Sequence, residues 1–172
     1  MQRKSYFVKS RGNDIYVELQ YPKKTPAPAI IVSHGLRSYF PGVLDMFCKI
    51  FREAGYIAIK FHFVGTGKSS GKFENKSTTE MLQNFKDVLK FVKNQPEIRG
   101  IGVMARSNAA SLAILHGPDQ AIKAYTLLAP PVYYSMDMAK FIHEAKIKGG
   151  FFYHKSFKRR HTKGEGRLPL RY

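Results

Sequence analysis

In "VMARSNAAS", Val103 to Ser111, one serine stands between small residues just where an apolar run gives way to an alanine-rich one. A serine nucleophile on a sharp strand-to-helix turn needs small residues two places before and two places after it. Larger side chains there collide with the neighbouring strand and helix. Ala105 and Ala109 meet that limit, less generously than glycines would. The competing reading makes Ser107 the N-cap of a short helix over "NAASLAILHG". Upstream, the apolar run "AIIVSHG" ends in His34-Gly35. A turn at that point can aim a backbone N–H at the spot the serine hydroxyl faces. Asn108 supplies a second N–H from the start of the new helix, and two such donors make an oxyanion hole.

A third segment, "GTGKSSG", fails as a phosphate loop because position 62, where the first glycine is required, is His62. It fails as a dinucleotide fingerprint because Ser70 stands where Gly or Ala is needed, so it reads as a tight turn near a site. His34 and His62 end neighbouring strands without a third ligand, so no metal is expected. Cys48, between Phe47 and Ile50 on an apolar helix face, reads as packing. His34, Gly35 and Tyr133 are the candidate substrate-binding residues, although Tyr133 and Tyr134 after "APPV" suit plain packing equally well.

The elements that must position these residues follow from periodicity. "SYFVKS" and "IYVELQYP" alternate around Gly12 and Asn13 as an opening hairpin. "AIIVSHG", "YIAIKFHF", "RGIGVMA" and "AIKAYTLLAP" are short apolar runs that suit strands covered on both faces. Between them, Val43, Leu44, Phe47, Ile50, Phe51 and Ala54 recur at helical spacing before Gly55. Met81, Leu82, Phe85, Val88, Leu89 and Val92 recur likewise after a Ser77/Glu80 capping box, and Pro96 closes that helix. This alternation implies right-handed crossovers and a mostly parallel sheet. All three chemical segments then fall at the carboxyl ends of strands, where ligands of open α/β sheets bind. Beyond "PPVYY" the spacing allows a helix over 137–147, "GGFFYHKSF" allows a strand or part of a cap, and "KRRHTKGEGRLPLRY" reads as a loop.

The order and separation of "IIVSHG", "FHFVGTGKSSG", "GVMARSNAAS" and "AYTLLAPP", across roughly residues 5 to 135, resemble the α/β-hydrolase family. The resemblance implies a three-layer α/β fold with an N-terminal antiparallel hairpin. It also implies Ser107 as nucleophile, the backbone N–H groups of Leu36 and Asn108 as oxyanion donors, and no cofactor. In such enzymes the serine attacks an ester or similar carbonyl, and a histidine takes its proton. The sequence departs from the family at Ala105 and Ala109, which replace glycines. It departs again at His62 and Val64, which replace an Asp and an Arg whose charge pair steadies the following loop.

The family order continues with an acid and then a late histidine. No clear pair of βα units follows "AYTLLAP", so the C-terminal strands are expected to be missing from this chain. Residues 1–135 read as the hydrolase core and 136–172 as a basic segment, the start of a cap or an incomplete remainder of the core. His143, His154 and His161 follow Ser107, as do Asp119, Asp137 and Glu144, and none stands out as base or acid.

With 172 residues, 44% hydrophobic and 13% aromatic, the chain has enough apolar material for one packed domain, which excludes a disordered chain. Its 29 basic against 12 acidic residues give a net charge of +17, which draws anionic partners. From Lys140 onward, ten basic residues face only Glu144 and Glu165. The lone Cys48 excludes an intrachain disulfide, and there is neither an apolar leader nor a membrane-length apolar run, so a cytoplasmic protein is expected. These observations favour a serine hydrolase acting on small carboxylic esters or related acyl substrates, inactive if this chain lacks its base. The alternative is a non-catalytic hydrolase-like protein holding nucleic acid or acidic lipid on its basic surface. No strand face interleaves aromatic and basic residues, which counts against nucleic acid. An incomplete sheet would leave an edge open to self-association.

Overall fold

The computed structural model describes residues 2–35 and 41–131, together with three short strands at 146–148, 151–153 and 167–169. Alternating side chains make β1 (Arg3–Ser10) and β2 (Asn13–Gln20) an antiparallel pair in unbroken register from Arg3 opposite Gln20 to Ser10 opposite Asn13. Arg11 and Gly12 between them both have positive φ, 45° and 79°, the turn geometry that matches strand twist in a two-residue hairpin. β2 continues antiparallel onto β4 (Ile57–Phe61), and from there every pairing is parallel. The remaining strands are β3 (Ala27–Ser33), β5 (Ile98–Arg106) and β6 (Ile122–Leu128), in the order β1-β2-β4-β3-β5-β6.

Three helices cover this sheet: α1 (Pro41–Glu53), α2 (Thr78–Lys93) and α3 (Asn108–His116). α2 buries Met81, Phe85, Val88, Leu89 and Val92, one stripe at helical spacing, against Val17, Ile31, Ile59 and Val103. Each such side chain contributes roughly 1.5–3 kcal/mol before conformational entropy is counted. Ser77 caps α2, its Oγ accepting the Glu80 N–H at 3.1 Å. α1 lies on the opposite face, where Leu44 and Cys48 pack with Val32, Ala58 and Met104. It ends in a paired motif in which Tyr56 N–H reaches Phe51 O and Gly55 N–H reaches Arg52 O, with Gly55 at φ 92°.

β7 (Lys146–Lys148), β8 (Phe151–Tyr153) and β9 (Arg167–Pro169) form a separate antiparallel sheet. Ile147 therefore sits in a strand where the spacing suggested the end of a helix, and Arg167–Pro169 is a strand where a loop was expected. Three-residue strands exist through their pairings, here Ile147 with Phe152 and Phe152 with Leu168, rather than through any local period. The rest of the expected helix lies outside the described residues. No helix among the described residues is long and apolar enough to cross a membrane.

A polar layer lies under α1. Lys60 on β4 is buried between Glu18 of β2, at 3.3 Å, and Asp45 of α1, while Tyr16 Oη and Gln20 Nε2 both donate to Glu18 at 2.8 Å. Burial would raise the Glu18 pKa, but those hydrogen bonds and the Lys60 ammonium outweigh it and hold the carboxylate below its usual range. Lys60→Met is expected to cost about 3–5 kcal/mol at neutral pH, because it strands a buried carboxylate. Glu18 has a depressed folded pKa, so its contribution is present above its unfolded value and is lost as pH falls. The gap between variant and wild type in urea midpoint should therefore narrow as pH falls, because the stranded Glu18 of the variant takes up a proton more readily than the paired one.

Candidate active site

β5 delivers the chain to Ser107, and α3 carries it away. At that point the backbone has φ 57° and ψ −131°, a region that residues with a side chain avoid. An N-cap residue would instead be extended, with its hydroxyl bound to the first turn. Ser107 occupies the N-cap position, yet its side chain makes no cap hydrogen bond. The Ser107 N–H donates to Leu128 O on β6 at 2.8 Å, and its carbonyl accepts the Ala110 N–H at 2.8 Å. The hydroxyl is exposed and makes no hydrogen bond among the described residues. The Asn108 N–H, at the first helical position, has no intrahelical acceptor.

Gly35 is brought directly against this turn. A Cβ on Gly35 would lie 3.0 Å from Ser107 Cβ and 3.4 Å from its Oγ, so the strand end approaches as closely as a glycine permits. His34 fixes that strand end: its buried Nε2 accepts the Phe63 N–H at 3.3 Å, which puts the proton on Nδ1, 2.8 Å from Gly35 O. Burial, and then the nearby Lys76 ammonium, hold the His34 pKa well below its ordinary value, so the ring stays neutral. The His34 ring nitrogens are thus occupied within the fold. Leu36 and Tyr133 lie outside the described residues, as do His143, His154, His161, Asp137 and Glu144. Asp119 precedes β6 at the opposite end of the sheet, held by Lys93 at 2.7 Å.

His62, directly after β4, braces the loop that follows. Its Nδ1 accepts the Lys68 N–H at 2.9 Å, and a Cβ on Gly67, at φ 56°, would collide with the ring. Ser69 and Ser70 tie the same loop to β2, their hydroxyls accepting the backbone N–H groups of Tyr16 and Asp14. Among the described residues no group of three His, Cys, Asp or Glu could hold a metal.

Two features escaped sequence reasoning. Lys76 is fully buried, with Nζ 5.4 Å from the Phe63 ring and 5.6 Å from the Phe73 ring, and burial lowers its pKa to about 7. Arg106 borders a cleft of about 290 Å³, solvent at its mouth included, shared with Gly35, Leu44, Phe47 and Met104. The signal for Arg106 was available in the strand's two-residue alternation, which puts it on the same face as Met104.

Because the Ser107 backbone is strained, Ser107→Gly should exceed Ser107→Ala in stability by about 1–2 kcal/mol in urea unfolding, reversing the usual penalty for glycine. His62 makes a second prediction. Burial first, then the Lys60 and Lys68 ammonium groups, push its pKa down to about 4, so the folded state resists the proton that the unfolded chain takes up near pH 6.5. Its contribution is complete above that pH and declines on acidification. By pH 5 about 2 kcal/mol should be lost, and His62→Gln should remove that part of the acid slope.

No family model matches the sequence, and no curated protein matches it either. Solved structures do. An esterase from Pyrococcus furiosus superposes with a TM-score of 0.70 at 23% identity, over 82% of this chain and 56% of that one. Est1E from Butyrivibrio proteoclasticus, with ferulic acid bound, gives 0.69 at 21% identity, over 83% and 58%. A thermostable carboxyl esterase from Bacillus coagulans gives 0.63 at 20%, over 74% and 44%. The chain thus spans about half the length of these proteins. The strand order, the antiparallel opening hairpin and these neighbours agree: the chain has the α/β-hydrolase fold.

Proposed function

We propose that the chain carries the nucleophilic half of a serine hydrolase acting on carboxylic esters or related acyl substrates, with Ser107 as the nucleophile. The observation that carries this reading is the strained backbone at Ser107, which presents beside Gly35 a hydroxyl without a hydrogen bond among the described residues. A structural serine gains nothing from that conformation, whereas a nucleophile gains exposure above the sheet and a neighbouring helix N-terminus.

In this reading Ser107 Oγ bonds to the carbonyl carbon as its proton passes to a base. The negative oxygen is held by the Asn108 N–H and, from its place directly after Gly35, by the Leu36 N–H. The C–O bond to the alcohol then breaks, the alcohol leaves with that proton, and water repeats the sequence to free the acid and restore Ser107. His34 is a positioning residue that holds the Gly35 carbonyl, and through it the donor that follows. Among the described residues no histidine is bonded to Ser107 Oγ: His62 serves the Lys68 N–H, and His116 lies at the far end of α3. The base is to be sought outside the described residues. The solved neighbours named as esterases support an ester as the substrate class.

A fluorophosphonate probe tests this directly. The expected result is a single adduct on Ser107, absent in Ser107→Ala and slowed at least about tenfold in Gly35→Ala, whose new Cβ would push the turn off its position. Folded protein that takes no label, or takes it equally in Ser107→Ala, would overturn the assignment.

A further inference from the structure

The residue immediately before Ser107, Arg106, is an exposed cation without a hydrogen-bond or ion-pair partner among the described residues. Strand alternation places it on the α1 face of the sheet with Met104, which packs against Leu44 and Cys48. The cleft that opens there runs between α1 and the ends of β3 and β5. Its walls are apolar at Val43, Leu44, Phe47 and Met104, and it shares Gly35 with Ser107. Arg106 stands where its rim meets the turn. The cleft is open to solvent at its mouth, so a chain would lie along its apolar wall rather than be enclosed by it.

The carboxylate of α1 closest in sequence to these walls, Asp45, is already bound to Lys60, so it does not neutralise the guanidinium. The overall surplus of +17 adds a long-range field that raises the local concentration of anions. A planar guanidinium matches a carboxylate in a paired, directional way that a solvated lysine does not.

We propose that Arg106 is the specificity-determining residue of this site and selects esters whose acyl chain ends in a carboxylate. The chain lies along Val43, Phe47 and Met104, and the anion meets the guanidinium. This rests on the reading of Ser107 as nucleophile, and it adds the substrate class to that reading.

Two probes of matched length separate the outcomes. In low salt, kcat/KM for mono-4-nitrophenyl glutarate should exceed that for 4-nitrophenyl pentanoate by about tenfold, reversing the order expected of a purely apolar pocket. Arg106→Met should bring the ratio to about one, Arg106→Lys should leave it between, and about 0.5 M salt should erode it in the wild type. Turnover that needs Ser107 but shows no preference for the glutarate ester, or a preference that survives Arg106→Met, overturns the proposal and leaves the nucleophile intact. Turnover unchanged in Ser107→Ala overturns the nucleophile. If neither ester is turned over, calorimetry with glutarate decides the anion site alone: binding lost in Arg106→Met supports it, and no binding or equal binding overturns it.

Discussion

A single residue held against its own preference organises this molecule. The backbone at Ser107 stands at φ 57°, ψ −131°, which costs about 1–3 kcal/mol and persists only where the surroundings over-determine it. Those surroundings come from three strands. β6 supplies the Leu128 carbonyl that takes the Ser107 N–H, β5 supplies the buried Ala105 beneath the turn, and β3 leads two residues on to Gly35 against the Ser107 side chain. α3 contributes Ala109 and Ala110, both buried, where anything larger would press on the sheet. The small residues on either side of Ser107 are one condition, applied at each wall of a tight bend.

The strand and helix order was legible because both periods are strong. Met81 to Val92 keep one helical stripe, and the β3, β4 and β5 runs are too short and too apolar to be anything but covered strands. The convergence of His34-Gly35 on Ser107 followed from strand ends alone. What the residues left open was whether Ser107 caps its helix or turns out of it. That choice depends on a hydrogen bond to Leu128, a partner made adjacent only by the β5–β6 pairing. Lys76 was illegible for a related reason: it follows a loop with no period, and only the placement of Phe63 and Phe73 shows that its ammonium is enclosed.

His62 holds the loop that follows β4 through a neutral ring. A carboxylate would hold the following loop as an anion, whereas the imidazole holds it as a neutral acceptor at the Lys68 N–H. Neutrality is enforced by burial and by the cations Lys60 and Lys68, just as Lys76 acts on His34 after burial. Here the basic excess has a local structural effect. It discourages a second positive charge on either ring, and so keeps His34 Nε2 free to accept the Phe63 N–H and His62 Nδ1 free to accept that of Lys68.

The two sides of the candidate site are set by separate means. Ser107 is held by backbone bonds within β5, β6 and α3, so its position is insensitive to α1. The cleft wall is α1, and α1 is joined to the sheet by the Lys60–Asp45 pair together with Leu44 and Cys48 packed on Val32, Ala58 and Met104. Glu18, Tyr16 and Gln20 extend that anchor into the hairpin, at the other end of the sheet order from β6. A change in the polar layer can therefore move Val43, Leu44 and Phe47 and reshape the cleft while the turn at Ser107 stays where it is. The turn at Ser107 is set by the crossing of three strands and the cleft wall by a helix anchored through side chains, which lets one vary without the other.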